Sequence, residues 1–70
     1  MIKSAKKLGL RIKTLREERG WTQEQCASYL GFHYSTIGHF ESGDRNVTLA
    51  TLEKIAEGFN ITLEDLFKGL

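Results

Sequence analysis

Residues 22–43, TQEQCASYLGFHYSTIGHFESG, constrain this chain more than any other stretch. They read as one short helix, a glycine turn and a second short helix of nearly the same length. Ala27 is small where two helices must approach closely, and Gly31 falls where the first helix has to stop and turn. Ile37 and Phe40 give the second helix an inward stripe. The pattern is that of two short rods joined by a tight turn.

The flanking sequence extends the same helical logic. Ala5, Leu8, Ile12 and Leu15 follow a helical spacing and predict an amphipathic first helix ending at Gly20. Thr22 starts helix 2, with Gln25 three residues on to complete a capping box. Phe32 and His33 lead into helix 3, which runs to about Ser42 and stops at Gly43. Helix 4 starts after Thr48 and turns Leu52, Ile55, Ala56 and Phe59 inward. Helix 5 is short, with Thr62 as cap, Asp65 as its third residue, then Leu66 and Phe67. A hydrophobic residue before each cap pairs with one at the fourth helical position: Phe32 with Ile37, Val47 with Leu52, Ile61 with Leu66, and more weakly Trp21 with Cys26. The prediction is an all-α fold of five helices without strands, forming a single domain over residues 1–70.

Composition narrows what such a fold can do. At 70 residues, 40% hydrophobic, the chain builds one small core, and a domain of this size buries only about 60% of its unfolded surface. No apolar run approaches the roughly 18 residues of a membrane span, and the lysines at the N-terminus are not followed by the apolar core of a secretory signal. Cys26 is the one cysteine; it cannot staple the fold, and a metal cage needs more ligands. No metal or cofactor is expected, and the lone thiol favours a cytoplasmic setting. The formal charge of +1 hides an asymmetry. Residues 1–16 carry Lys3, Lys6, Lys7, Arg11, Lys13 and Arg16 and no acid, while the rest holds four basic and nine acidic residues. A polyanion can therefore meet one positive face, although a solvated helix face is the plainer alternative.

Two short helices in this arrangement form a helix-turn-helix, whose second helix suits the DNA major groove. Beyond that motif the chain resembles the Cro/cI-type, or XRE, family of helix-turn-helix regulators. The resemblance runs from about Leu8 to Leu70, through IKTLREERGWTQ, the LG turn, IGHFESG and LEKIAEGFNITLEDLF. GDRNVTLATLEKIA is most similar to the restriction–modification controller proteins, small dimeric regulators, although phage repressors and antitoxins share much of the pattern. The resemblance implies a compact five-helix, lambda-repressor-like DNA-binding domain.

Tyr34, Ser35 and His39 are the candidates for base readout, because each side chain can donate or accept a hydrogen bond at a base edge. Tyr34 and Ser35 lie in the first turn of helix 3, with His39 one turn later on the same side. His33 contacts a phosphate or ends the turn. Thr22 and Gln23 open helix 2, where backbone N–H groups and the helix dipole attract a phosphate; the family's matching glutamine implies that role for Gln23, whereas Thr22 already has work as a cap. Arg45, Asn46 and Thr48 are expected at phosphates on the other flank, the last two being equally suited to turn and cap roles. Lys13 and Arg11 are further backbone candidates. The resemblance also implies an internal ion pair between Arg16 and Glu41. Against the family pattern, Cys26 stands where leucine is usual and reads as a small core filler. Gly38, inside helix 3, and Gly58, inside helix 4, mark either close approach of DNA, a neighbouring helix or a partner subunit, or imperfect sites.

One short reading helix contacts too few base pairs to select a site, which favours a homodimer on a roughly palindromic double-stranded DNA operator. Asn60, Ile61, Thr62, Leu63, Leu66 and Phe67 are the expected contact surface, with an intramolecular core as the alternative. RNA polymerase is a possible further partner in controller-type regulation. The rival reading is an antitoxin-type module whose main partner is a toxin protein, for which no toxin-wrapping tail follows helix 5. A membrane or calmodulin-like ligand role for the basic N-terminus and an enzyme role are disfavoured: Cys26 faces inward, and no acid completes a triad with His33 or His39.

Overall fold

Residues 2–70 are described by a computed structural model, with side chains from Ser4 onward, so the Lys3 side chain lies outside the described residues. Five helices follow in order: α1 (Ile2–Glu18), α2 (Gln23–Leu30), α3 (Tyr34–Ser42), α4 (Leu49–Phe59) and α5 (Leu63–Leu66). There is no strand among the described residues. The local signals account for the boundaries. Thr22 Oγ1 accepts the Gln25 N–H at 3.1 Å, while Gln25 Oε1 accepts the Thr22 N–H at 2.9 Å, closing a reciprocal capping box. Thr48 and Thr62 cap α4 and α5 from one side only, their side-chain oxygens accepting the N–H groups of Thr51 and Asp65. The turn after α2 uses Gly31 at φ +83°, a left-handed conformation that glycine adopts without a Cβ penalty.

One core joins all five helices. Leu8, Ile12 and Leu15 of α1 meet Cys26, Ala27 and Leu30 of α2, Ile37 and Phe40 of α3, Ile55, Ala56 and Phe59 of α4, and Leu66 of α5. Each large apolar side chain fully removed from water contributes about 1.5–3 kcal/mol. Phe32, Val47, Leu52, Ile61 and Leu63 pack around this core while remaining partly exposed. Ala5 is only half-buried, at the open end of the α1 stripe. Trp21 turns toward Tyr29, with ring centroids 4.5 Å apart, and toward Phe59, 5.9 Å away.

Several tight contacts set the angles between helices. Gly9 of α1 lies against the C-terminal end of α3: a Cβ there would come within 2.5 Å of the Glu41 carbonyl oxygen and strike that of Phe40 as well. Gly43, the left-handed cap of α3 at φ +72°, sits on α1, and a Cβ would lie 2.8 Å from the Lys6 Cα. Gly58 packs against Leu30 of α2, whose Cδ1 would be 2.7 Å from an added Cβ. Its small size is therefore required inside the protomer and calls for no partner subunit. Arg11 also departs from expectation: its Nη2 donates to the Asp65 carbonyl at 2.7 Å, tying α1 to α5.

Arg16, Glu41 and Gln23 form the polar counterpart of the core. Arg16 Nε donates to Glu41 Oε2 at 2.5 Å and its Nη2 to Oε1 at 3.2 Å, while Nη1 reaches the Trp21 carbonyl at 2.8 Å. Gln23 Nε2 adds a third donor to Glu41 Oε1 at 3.0 Å. The Arg16 and Glu41 side chains are only 11% and 7% exposed. The hydrogen bond to Glu41 raises the Arg16 pKa despite burial, so the guanidinium stays charged.

Glu41→Ala is expected to lower stability by about 3–5 kcal/mol, because it leaves a buried guanidinium unpaired; thermal and urea melts check this, and an unchanged midpoint would show that the pair carries little. Burial pushes the Cys26 thiol up to about 11. An unfolded thiol ionises near pH 8.5, so this group's contribution to stability is present below that pH and declines above it, as the unfolded state loses the proton first. Alkylation of Cys26 at neutral pH should follow global unfolding; rapid labelling of the folded protein would contradict the buried placement.

Candidate nucleic-acid interface

α3 has two sides of different character. Ile37 and Phe40 are buried beneath it, and Phe40 meets Phe32 edge-on at 5.3 Å. Tyr34 (61% exposed) and Ser35 stand outside, and His39 is half-exposed one turn on. Gly38 lies between these groups. A Cβ there would meet only the Gln23 amide, at 3.7 and 3.8 Å, which is ordinary contact. No neighbouring helix therefore demands a glycine at this position.

The polar atoms of this side are partly committed. Tyr34 packs its ring on His33 at 4.8 Å, and its hydroxyl has no hydrogen bond among the described residues. Ser35 Oγ lies 2.9 Å from His33 Nδ1, which also accepts the Ser35 N–H at 3.3 Å. His33 is thus the N-cap of α3. His39 Nδ1 lies 3.0 Å from Asp44 Oδ2 and 3.1 Å from Oδ1. This pairing sets an acid beside His39, a contact the sequence alone does not suggest. It arises because the turn after Gly43 folds Asp44 back onto the last turn of α3. No hydroxyl or thiol completes a relay with His39 among the described residues.

Candidate phosphate groups flank α3 on both sides. On one side is the α2 N-terminus, where Thr22 is occupied as the cap acceptor and Gln23 shares one amide N–H with Glu41. Gln23 keeps a second N–H, since a side-chain amide carries two. On the other side Arg45 and Asn46 are exposed and make no side-chain hydrogen bonds among the described residues, whereas Thr48 caps α4 and lies 3.0 Å from the Thr51 hydroxyl. Lys13 is exposed on α1. It lies along the helix from Gly9 and next to Arg16, both of which face α3, so its ammonium borders the same side. Arg11, turned to α5, lies away from it.

The residues expected at a subunit contact have mixed settings. Leu66 is fully buried in the chain's own core and has no surface left for a second copy. Ile61 and Leu63 are half-buried against that core, and Asn60 closes α4 in a left-handed conformation at φ +60°. Thr62 caps α5, and Phe67 is exposed.

Asp44, as the partner of His39, and Glu41, as the anchor of Gln23, were not evident as site residues. Neither contact follows helical spacing, so only the folded turn and the α2–α3 packing bring them together. The contact of Gly9 with the end of α3 likewise depends on how the helices pack.

The sequence pattern of the HTH_3 family, described as helix-turn-helix, matches residues 12–66. The restriction–modification controller protein C.AhdI from Aeromonas hydrophila has a similar structure, with a TM-score of 0.85 at 34% identity over 93% of this chain and 94% of that one. Control protein C.MunI from Mycoplasma sp is 37% identical over 65 residues, covering 91% of this chain and 88% of that protein. Antitoxin HipB from Escherichia coli K12 is 34% identical over 62 residues, covering 89% of this chain and 70% of HipB. The chain spans only 54% of the length of another, longer repressor that it matches. No helix among the described residues is long and apolar enough to cross a membrane. The chain belongs to the HTH_3 family, the XRE-type helix-turn-helix DNA-binding transcriptional regulators.

Proposed function

We propose that this protein binds a roughly palindromic duplex operator as a homodimer, each copy laying α3 in the major groove, and regulates transcription by binding rather than by catalysis. Tyr34, Ser35 and His39 read base edges. Gln23, Arg45, Asn46 and Lys13 hold phosphates, with the His33 ring and the Thr22 hydroxyl at the ends of the two helices beside them. Likeness to C.AhdI and C.MunI supports a controller-type regulator that blocks or touches RNA polymerase at its promoter. The observation that carries the reading is Gly38. Glycine in a helix interior costs about 1 kcal/mol relative to alanine, and packing within the chain leaves room for a methyl group. Close approach of a duplex to α3 gives the glycine a reason.

A dimer supports this reading on information and on size. Two half-sites a helical turn apart are spaced about 34 Å, a distance that two bodies of 27 × 23 × 21 Å can span side by side. Phe67, with the exposed parts of Asn60, Ile61, Thr62 and Leu63, forms the contact; Leu66 supports it from within. A second reading, supported by the likeness to HipB, is an antitoxin that also meets a toxin protein. Co-purification with a toxin encoded beside it would favour that reading.

Selection from a random duplex pool should enrich an inverted repeat, and a protein that prefers no duplex over heparin would refute the proposal. Gly38→Ala should raise stability by up to about 1 kcal/mol while weakening operator binding; unchanged binding would remove the argument from close approach. Phe67→Asp should shift sedimentation toward monomer and weaken operator affinity, and a wild type that is monomeric at tens of micromolar would refute the dimer.

A further inference from the structure

Two histidines stand at opposite ends of α3, and their neighbours impose opposite placements of the ring proton. His33 Nδ1 accepts the Ser35 N–H, so the neutral His33 ring carries its proton on Nε2. His39 Nδ1 faces both oxygens of Asp44, at 3.0 and 3.1 Å. An ionised carboxylate only accepts hydrogen bonds. The hydrogen bond from His39, with smaller help from Ser42 and Arg45, holds the Asp44 carboxyl below its ordinary range, so it is ionised at neutral pH. Nδ1 must then be the protonated nitrogen of a neutral His39 ring, and Nε2 keeps its lone pair. Nε2 makes no hydrogen bond among the described residues, and the side chain is 37% exposed.

The placement of Asp44 otherwise works against the site, because a carboxylate beside a reading helix repels phosphates. Its contact with His39 supplies a reason for it. In the major groove the base-edge hydrogen-bond donors are the amino groups of adenine and cytosine, whereas guanine and thymine offer acceptors. We infer that Asp44 is a positioning residue that fixes His39 as a hydrogen-bond acceptor at Nε2, so that His39 reads the exocyclic amino group of an adenine or cytosine and not a guanine or thymine acceptor. The base assignment rests on the proposed DNA reading; the proton placement does not.

Ring-nitrogen NMR of the 15N-labelled full chain at about pH 8, where an ordinary histidine is neutral, tests the first half. The wild type should show His39 protonated on Nδ1 and His33 on Nε2. Asp44→Ala should move the His39 proton mainly to Nε2 and leave His33 unchanged; Asp44 is exposed and outside the core, so this variant retains the fold. Duplex selection followed by base-analogue replacement tests the second half. At the position whose preference disappears in His39→Ala, removing the exocyclic amino group of the adenine or cytosine (purine for adenine, 2-pyrimidinone for cytosine) should weaken wild-type binding severalfold and leave His39→Ala binding unchanged, and Asp44→Ala should reduce the preference severalfold while sparing other positions. A wild-type His39 protonated on Nε2, or an Asp44→Ala spectrum like that of the wild type, overturns the role of Asp44. Wild-type binding that is unmoved when that amino group is removed, or a preference unmoved in Asp44→Ala, overturns the base assignment. A wild type that selects no duplex overturns the proposed function and the base assignment with it, while the ring spectrum still decides what Asp44 does.

Discussion

The carboxylate of Glu41 receives donors from two other helices, and the orientation of α3 depends on it. Arg16 approaches from α1 through two nitrogens, and Gln23 approaches from the start of α2. A buried ion pair is a weak source of net stability, since desolvating both charges offsets most of their attraction. Its geometric value is larger. Fixed donors on both sides of one carboxylate leave α3 little freedom to rotate about its own axis, which apolar contacts alone restrain less sharply. Because Gln23 is also a candidate phosphate contact, the same carboxylate couples the register of α2 to that of α3.

Close backbone approach complements this polar anchor. With glycine at positions 9 and 43, the C-terminal end of α3 settles directly onto α1. That contact brings the Lys6 backbone against the α3 cap and leaves Lys13 bordering the same side, so part of the basic N-terminal segment lies beside α3. Arg11 faces another way and serves α5. The basic segment is thus divided between holding the fold and facing outward, a division that a count of charges does not reveal.

Most of the architecture was legible from local chemistry. The starts of α2, α4 and α5 followed from threonine caps, the ends of α2 and α3 from glycine at left-handed positions, and the core from residues recurring every three or four places. These signals act within one or two turns of chain, so their physics is present in the sequence itself. The outer side of α3 was legible too, because burying Ile37 and Phe40 leaves Tyr34, Ser35 and His39 outside. The residues expected at a subunit contact were less so. Leu66 reads as surplus apolar surface at a short terminal helix, yet the core closes over it completely.

By itself the sequence determined the number and order of the helices, most of their starts and the main inward residues, since capping and periodicity are short-range properties. Only the tertiary structure decided that Gly58 accommodates Leu30, that Gly38 meets no helix, that Glu41 anchors Gln23 and that Asp44 returns to His39. Each of these is a meeting of atoms on different elements or across a turn. Their distances depend on how whole helices pack, which no local spacing rule encodes.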